Sequence, residues 1–314
     1  MLYRLVLAII VTNILYIKFS KVIMHSTQKI KNFLFKHLSY KQINLLRKIK
    51  WMILTPFVND KKEIKHFYTS ELEIKIIEQI IPKFLKTSHL TVLDIGANIG
   101  AYSYYLSMFV EKYQGQCLGF EPRMETFQRL KKNVHYHNFV AERLAFSNSN
   151  GSLDLYLPTS HGCSSFVKRP EFDGLKTESV PVSKLDDYIN KKNLNAIGFI
   201  KIDVEGHEIE VIEGAIQTIS KFKPIILCES ENRYISYSGK STQMLIKLMK
   251  NLKYTAYVIS KNNFTVLPVE NISIPDEKSS YDEYFFNYWF FPENIEKALV
   301  EFIENYLKTK FRQE

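Results

Sequence analysis

The chain has 314 residues, of which 46% are apolar and 24% are charged, the usage of an ordinary globular protein. Its 11 Gly and 10 Pro exclude collagen-like and low-complexity character, while its 3 Cys exclude a disulfide framework and suit a reducing compartment. The length predicts about two units, or one large domain with an appendage.

The formal net charge of +9 comes from the N-terminal segment. Residues 1–66 contain 13 of the 42 Lys and Arg but only two of the 33 acids, Asp60 and Glu63. Residues 67–314 therefore hold 29 basic and 31 acidic side chains and form a near-neutral body. Nucleic-acid enzymes usually carry basic groups for phosphate on the catalytic body. The sequence thus argues against nucleic acid as a partner, and a basic N-terminal arm for RNA or DNA stays an alternative.

The N-terminal segment begins with an uncharged stretch, Leu5–Ile17, between Arg4 and Lys18. A full transmembrane helix needs about 20 residues, so this stretch is short for a span. Up to residue 50, Lys and Arg alternate with Ile, Leu and Phe, which is typical of a basic amphipathic helix at a membrane surface. We predict that residues 1–66 form a helical segment that anchors in a membrane, lies on its surface through residues 1–50, or packs on the body. We expect a cytoplasmic protein; if the segment spans, its basic excess also places the body on the cytoplasmic side.

From about residue 70, helical and strand-like apolar patterns alternate. The expected helices cover residues 71–81, 99–113, 124–137, 184–190, 207–220 and 243–252. The expected sheet strands are LTVLDIG, QCLGFEP, AERLAFS, AIGFIKIDV, PIILCES, YTAYVIS and YFFNYWFF. After AERLAFS, Asn150-Gly151 and the alternating run SLDLYLP predict a hairpin, followed by a loop over residues 160–180. The alternation predicts an α/β fold whose mostly parallel sheet is covered by helices on both faces.

Polar side chains follow these apolar runs at the points where the strands end. In open α/β sheets, ligands bind at the carboxyl ends of the strands. The candidate functional residues are therefore Asp94, Glu121, Ser147, Asp203, Glu205 and Glu229.

The first strand-turn-helix, VLDIGANIG, has glycines at Gly96 and Gly100, which let the backbone approach a ligand closely. The dinucleotide fingerprint is the nearest rival interpretation, since Glu121 stands where a ribose-binding acid belongs. However, Asn98 occupies the middle glycine position, and the carboxylate of Asp94 would repel a diphosphate. S-adenosylmethionine (AdoMet) fits better, because it offers a ribose diol to Glu121 and positive charge to the first turn.

These segments resemble the FkbM-type methyltransferases, a family of Rossmann-like (class I) AdoMet-dependent enzymes. The resemblance rests on VLDIGANIGAYS, GFEP and above all FIKIDVEGHEIEVIEGA, and it covers roughly residues 70–291. It implies a seven-stranded Rossmann-like domain over residues 67–314 and methyl transfer to oxygen, commonly a hydroxyl of a sugar, glycan or metabolite. It also implies a set of residues that bind AdoMet, namely Asp94, Gly96, Asn98, Gly100 and Glu121.

A second group of functional residues follows the strand FIKI. By analogy with the fold, Asp203 lies where the methyl group is presented and next to the cofactor. A hydroxyl acceptor loses its proton as its oxygen attacks the methyl carbon, which calls for a base such as His207. Asp203 then orients His207 or contacts the acceptor, and Glu205 is a further candidate. A Mg²⁺ or Mn²⁺ site from these residues and Glu229 is the alternative, although we expect no metal.

The sequence therefore predicts an AdoMet-dependent methyltransferase, most simply an O-methyltransferase with a small-molecule or glycan acceptor. Two alternatives stay open. One is an RNA or DNA methyltransferase that uses the basic N-terminal segment, and the other is a membrane-tethered, non-catalytic protein with the same fold. The loop that contains His161 and Cys163 is a candidate lid over the acceptor.

Overall fold

The computed structural model describes residues 60–311, apart from 86–88, 159–162, 261–262, 277–278 and 280–284. Its helices are α1 (Asp60–Ser70), α2 (Leu72–Phe84), α3 (Ala101–Glu111), α4 (Met124–Asn133), α5 (Leu185–Lys191), α6 (Glu208–Glu213), α7 (Ile216–Phe222), α8 (Asn232–Ile235), α9 (Thr242–Asn251) and α10 (Glu296–Phe311). Its strands are β1 (Thr91–Ile95), β2 (Gln116–Phe120), β3 (Phe139–Glu142), β4 (Ala145–Phe146), β5 (Gly151–Tyr156), β6 (Thr177–Ser183), β7 (Ile197–Ile202), β8 (Ile225–Glu229), β9 (Tyr254–Ser260), β10 (Thr265–Pro268) and β11 (Asn287–Pro292).

The main sheet has the strand order β10-β9-β11-β8-β7-β1-β2-β3. Strands β1, β2, β3, β7 and β8 pair in parallel, whereas β11 runs antiparallel between β8 and β9. The predicted α/β class and mostly parallel sheet are confirmed. The sheet has eight strands, one more than the seven expected, because β10 adds antiparallel to the edge of β9.

The apolar patterns explain why the sheet is covered on both sides. One buried cluster packs α2, α3 and α10 against one face, and a second packs α5, α6, α7 and α9 against the other. The late apolar strand β11 belongs to this core, with Trp289 fully buried, as its composition predicts. The expected helix 207–220 divides into α6 and α7 at Gly214, where the backbone comes so close to Ser147 that a Cβ would lie 2.1 Å from its carbonyl oxygen.

A second sheet replaces the predicted hairpin. The expected strand AERLAFS divides into β3, which stays in the main sheet, and β4, which leaves it. Strand β6 lies between β4 and β5, parallel to the first and antiparallel to the second. The hairpin prediction was wrong because Val180 and Val182 give β6 an alternating buried side within a segment that we expected to be a loop.

Helix α1 runs across the predicted domain boundary between residues 66 and 67. Its Ile64 is buried in the core, and Asp60 accepts hydrogen bonds from Arg129 (2.7 and 3.0 Å) and Asn133 (2.9 Å) of α4. The compact unit accordingly begins at Asp60. Of the predicted helical segment, residues 1–66, the structure describes only residues 60–66, which are helical, and the stretch Leu5–Ile17 lies outside the described residues. Among the helices that the structure does describe, none combines the length and apolarity needed to cross a bilayer.

Candidate functional site

The turn after β1 brings the backbone of the first motif against the end of β7. Gly96 (φ 83°), Asn98 (φ 50°) and Gly100 (φ 98°) all adopt left-handed conformations. The amides of Gly96 and Ala97 donate to the carbonyl oxygen of Phe120 at 3.0 and 2.9 Å. A Cβ on Gly96 would lie 1.8 Å from the backbone oxygen of Asp203. Position 96 therefore requires glycine. The turn joins the ends of β1, β2 and β7.

We expect Gly96→Ala to destabilise this turn. A left-handed alanine alone costs about 1–2 kcal/mol, and the contact with Asp203 adds to that cost. Gly174→Ala is the matched control, because Gly174 has φ 74° and a Cβ there would meet nothing within 4 Å. Chemical denaturation should show a larger loss of unfolding free energy for Gly96→Ala than for Gly174→Ala. Equal losses would mean that the close approach to Asp203 does not constrain the turn.

Glu121 ties the end of β2 to the first turn. Its side chain is buried, its Oε2 accepts from the amide of Asn98, and its Oε1 accepts from the amide of Arg123, both at 3.0 Å. Burial raises the pKa of Glu121 to about 7, although the two amides and the Arg123 charge oppose that shift. A carboxylate has about four acceptor positions, so two remain for ligand hydroxyls. Glu121 therefore has the environment expected of a ribose-binding residue.

Asp94 lies in β1, just before the turn, and stabilises it through a hydrogen bond. Its Oδ2 accepts a 2.6 Å hydrogen bond from Ser103 Oγ in the first turn of α3, and the residue is only 1% exposed. Burial raises the pKa of Asp94 to about 6, while Ser103 and Lys201 act in the opposite direction. Asp94 thus combines a structural bond with a position beside the larger cavity described next.

Two cavities meet at the carboxyl edge of the sheet. The narrower cavity is lined by residues of the β1, β2 and β7 ends together with Phe146 and Ser164. The wider cavity has a volume of about 650 Å³ and lies over β1, β7, β8 and β11. Gly96, Asn98 and Asp203 line both. The two cavities could hold the two halves of a bound molecule, or a cofactor and its reaction partner, on either side of Asp203.

Asp203 follows β7 at the junction of the two cavities. Its backbone amide donates to the carbonyl oxygen of Ile95 at 2.9 Å, which fixes the strand end against the first turn. About a third of its side chain is exposed, and its Oδ2 lies 3.7 Å from Lys201 Nζ. Among the predicted catalytic residues, Asp203 is the one that lines both cavities.

Glu205 lies in a strained turn beside the narrower cavity. It has φ 57°, which is unusual for a residue other than glycine. Ser165 Oγ donates to its carbonyl oxygen at 2.7 Å, and the guanidinium of Arg169 lies 3.8 Å from its Oε2. Burial raises the pKa of Glu205 well above its usual range, and the nearby Asp203 charge adds to the shift. The Arg169 charge acts in the opposite direction.

His207 lies in a different environment from the carboxylates. Its Nε2 is 3.0 Å from Ser147 Oγ, its ring packs edge-on against Phe166, and its Nδ1 is 3.7 Å from Glu210 Oε2. Burial lowers the pKa of His207. The side chain does not line either of the two cavities. The structure thus places Asp203 and Glu205 at the edge of the cavities and His207 away from both cavities. The role of His207 as a base stays a prediction.

The segment after β5 covers the narrower cavity and is fixed by an arginine. Arg169 is 2% exposed and lies between the rings of Phe172 and Tyr234, at 4.3 and 4.2 Å from their centroids. It also donates to the carbonyl oxygen of Cys163 at 3.1 Å. Cys163 of the predicted lid belongs to this cover, as does its neighbour Ser164, which lines the narrower cavity, whereas His161 lies outside the described residues.

Sequence reasoning missed Lys201 and Tyr102, which line the wider cavity. Lys201 is 1% exposed within the central strand β7, and Tyr102 of α3 lies beneath its ammonium, 5.1 Å from ring centroid to Nζ. A lysine between two isoleucines in an otherwise apolar strand was the available signal. Within the part of the chain that the structure describes, no group of three His, Cys, Asp or Glu has the geometry of a metal site.

The turn, the buried Glu121 and the two cavities around Asp203 fit AdoMet, since Glu121 can accept from a ribose diol and Asp203 can face a sulfonium. The fold is that of the Rossmann-like AdoMet-dependent methyltransferases. The family profile of the methyltransferase FkbM domain matches residues 94–256, just over half of the chain. The chain belongs to the FkbM methyltransferase family, and AdoMet is its cofactor.

Three relatives are similar to parts of the chain. Methyltransferase 1 of Beauveria bassiana is 28% identical over 145 residues, which cover 39% of this chain and 57% of that protein. The 2-O-methyltransferase NoeI of Sinorhizobium fredii is 28% identical over 165 residues, covering 47% and 66%. The hexuronic acid methyltransferase AglP of Haloferax volcanii is 25% identical over 169 residues, covering 54% and 65%. The chain thus spans little more than half of the first relative's length.

Proposed function

We propose that this protein transfers a methyl group from AdoMet to a hydroxyl oxygen of a sugar, glycan or other small hydroxylated metabolite. The observation that carries the proposal is the wider cavity, which adjoins the cofactor turn and is lined by the carboxylates of Asp203 and Glu229. Carboxylates at that place can accept hydrogen bonds from acceptor hydroxyls and take up a proton. The names of NoeI and AglP, a 2-O-methyltransferase and a hexuronic acid methyltransferase, support an oxygen acceptor of the sugar class.

When bound, AdoMet would supply the methyl group to the acceptor oxygen, with its sulfur as the leaving group. Glu121 would hold the ribose, and the turn at Gly96 would let the cofactor lie close to the backbone. Asp203 accepts the proton that the acceptor hydroxyl loses, and Glu229 orients the acceptor. The reaction leaves S-adenosylhomocysteine, the methyl ether and one proton, which Asp203 passes to water. His207 is the alternative proton acceptor.

The proposal is tested by a transfer screen with AdoMet that carries a labelled methyl group. The full-length protein is offered neutral sugars, uronic acids, glycolipids and RNA in parallel. We expect label in a hydroxylated sugar or glycan and none in RNA. Label in RNA alone would favour the nucleic-acid alternative, while AdoMet binding without transfer to any acceptor would favour the non-catalytic one.

We also propose that residues 1–50 bring the protein to an anionic membrane surface, which rests on the basic and apolar pattern of that segment alone. Full-length protein should then sediment with anionic vesicles at low salt. Replacing Ile9 and Ile14 by Asp should abolish sedimentation, because it places two charges in the apolar stretch. The matched control replaces Ser26 and Thr27 by Asp, with the same change in charge. Equal loss in both variants would show that charge, and not insertion of the apolar stretch, carries the binding.

A further inference from the structure

The central strand β7 carries a buried lysine that the mechanism above does not use. Lys201 pairs with Asp94 of β1 and with Leu227 of β8, so it lies in the middle of the sheet, one to two residues before its carboxyl edge. The side chain is 1% exposed. A buried ammonium is expensive unless it is paired, so its neighbours should reveal its purpose.

The groups around the ammonium are mainly carboxylates. Lys201 Nζ lies 3.7 Å from Asp203 Oδ2 and 3.9 Å from Glu229 Oε2, and it donates to the carbonyl oxygen of Ile202 at 3.2 Å. The titratable and charged groups that face it from the packed elements are Asp94 (β1), Tyr102 (α3), Cys228 and Glu229 (β8) and Asp203 at the end of β7. The ammonium thus joins the two carboxylates that line the wider cavity.

The electrostatics agree with this geometry. Burial lowers the pKa of Lys201, but the Asp203 and Glu229 charges outweigh burial and leave that pKa above its ordinary value. Lys201 therefore stays an ammonium and is itself no base. Burial and the Asp203 charge raise the pKa of Glu229, and Lys201 is the main group that opposes this rise. The pKa of Glu229 stays well above its usual range even so, and the ammonium limits this rise.

We propose that Lys201 is a positioning residue whose ammonium holds the carboxylates of Asp203 and Glu229 at the wider cavity and turned toward the point of methyl transfer. This proposal rests on the proposed function, since it assigns Asp203 the role of proton acceptor. It also explains why a charged residue interrupts the apolar strand FIKI: the ammonium reaches both cavity carboxylates from inside the sheet, where the solvent does not screen it.

The test is the pH dependence of methyl transfer by the full-length protein to the hydroxylated acceptor found in the screen. Lys201→Met removes the charge and keeps most of the volume. An opposite charge at this distance favours the ionised carboxylate by about 1–3 pH units, so the acid limb of the turnover profile should move to higher pH by that amount. The KM for AdoMet should change little, because Glu121 and the first turn are untouched.

Lys240→Met is the matched control. Lys240 also lies between two carboxylates, at 2.8 Å from Glu210 and 3.9 Å from Glu213, but it lines neither cavity. Its charge contributes to lowering the pKa of His207. Because Asp203 and not His207 is the proposed proton acceptor, the acid limb of the turnover profile should stay in place in Lys240→Met. A limb that moves in Lys240→Met and not in Lys201→Met would overturn the proposal and make His207 the base.

Glu229→Gln is the second variant for the same measurement and serves if Lys201→Met does not fold. Removing one negative charge beside Asp203 should move the acid limb to lower pH, the opposite direction to Lys201→Met. An unmoved limb in Glu229→Gln, with wild-type turnover, would overturn the proposal. A wild-type protein that methylates no hydroxyl would refute the proposed function. An active wild type whose acid limb of turnover stays in place in both variants would refute the role of Lys201 alone.

Discussion

Asp203→Asn is expected to lower turnover by about 10²–10⁴-fold, the usual contribution of a positioned base. The amide keeps the shape of the side chain and the backbone bond to Ile95, but it cannot accept the proton. AdoMet affinity should fall by no more than a few-fold, since Glu121 and the Gly96 turn remain. The measurement is turnover at saturating AdoMet, together with calorimetric titration of AdoMet into the same variant.

His207→Gln distinguishes the two candidate bases. Its ring contacts Ser147 and Phe166 and lines neither cavity, so we expect a small effect on turnover, within about ten-fold. A loss in His207→Gln as large as in Asp203→Asn, with cofactor affinity intact, would move the base to His207. Asp203→Asn with wild-type turnover would remove Asp203 from the proton transfer.

Glu121→Ala is expected to weaken AdoMet binding by about 30–150-fold, which corresponds to about 2–3 kcal/mol for a charge-assisted contact to the ribose. The loss also leaves the amides of Asn98 and Arg123 without their acceptor, so the turn loosens at the same time. Calorimetry with AdoMet and S-adenosylhomocysteine measures the change.

Glu125→Ala is the control for this change. Glu125 is a nearby acid that pairs with Arg123 at 2.8 Å but is 68% exposed and lines neither cavity. Its affinity for AdoMet should match that of wild type. Unchanged affinity in a folded Glu121→Ala protein would refute the ribose assignment, and tight binding of NAD by wild type would revive the dinucleotide interpretation.

The sequence predicted the main sheet well because its signals are local. Each parallel strand is a short apolar run that ends in a polar residue, so Asp94, Glu121, Asp203 and Glu229 could be placed at one edge without knowing the strand order. The ends of five expected helices differ from the structure by only a few residues, because apolar periodicity marks them. The helix expected at 207–220 is divided, and the C-terminal helix α10 was not predicted. Gly96 and Asn98 were readable because their left-handed turn requires such residue types.

The features that sequence reasoning missed depend on contacts between distant segments. The pairing of β6 with β4 and β5 was hidden because β6 is separated from β5 by a covering segment without periodicity. The surroundings of His207 depend on Ser147 and Phe166, which stand about 60 and 41 residues earlier, and no local pattern announces either contact. The partners of Lys201 likewise come from β1, α3 and β8 as well as from the end of its own strand.

The most direct test of the central claim is to follow a carbon-13 methyl group from AdoMet into the isolated product by NMR. The protein is used at full length, with Asp203→Asn as the inactive comparison. The chemical shift and couplings of the methyl carbon reveal the atom to which it is bonded. We predict a methyl ether on a hydroxyl oxygen, formed by wild type and almost absent with Asp203→Asn. A methyl group bonded to nitrogen or carbon, or the same ether formed at the same rate by Asp203→Asn, would contradict the mechanism proposed for this site.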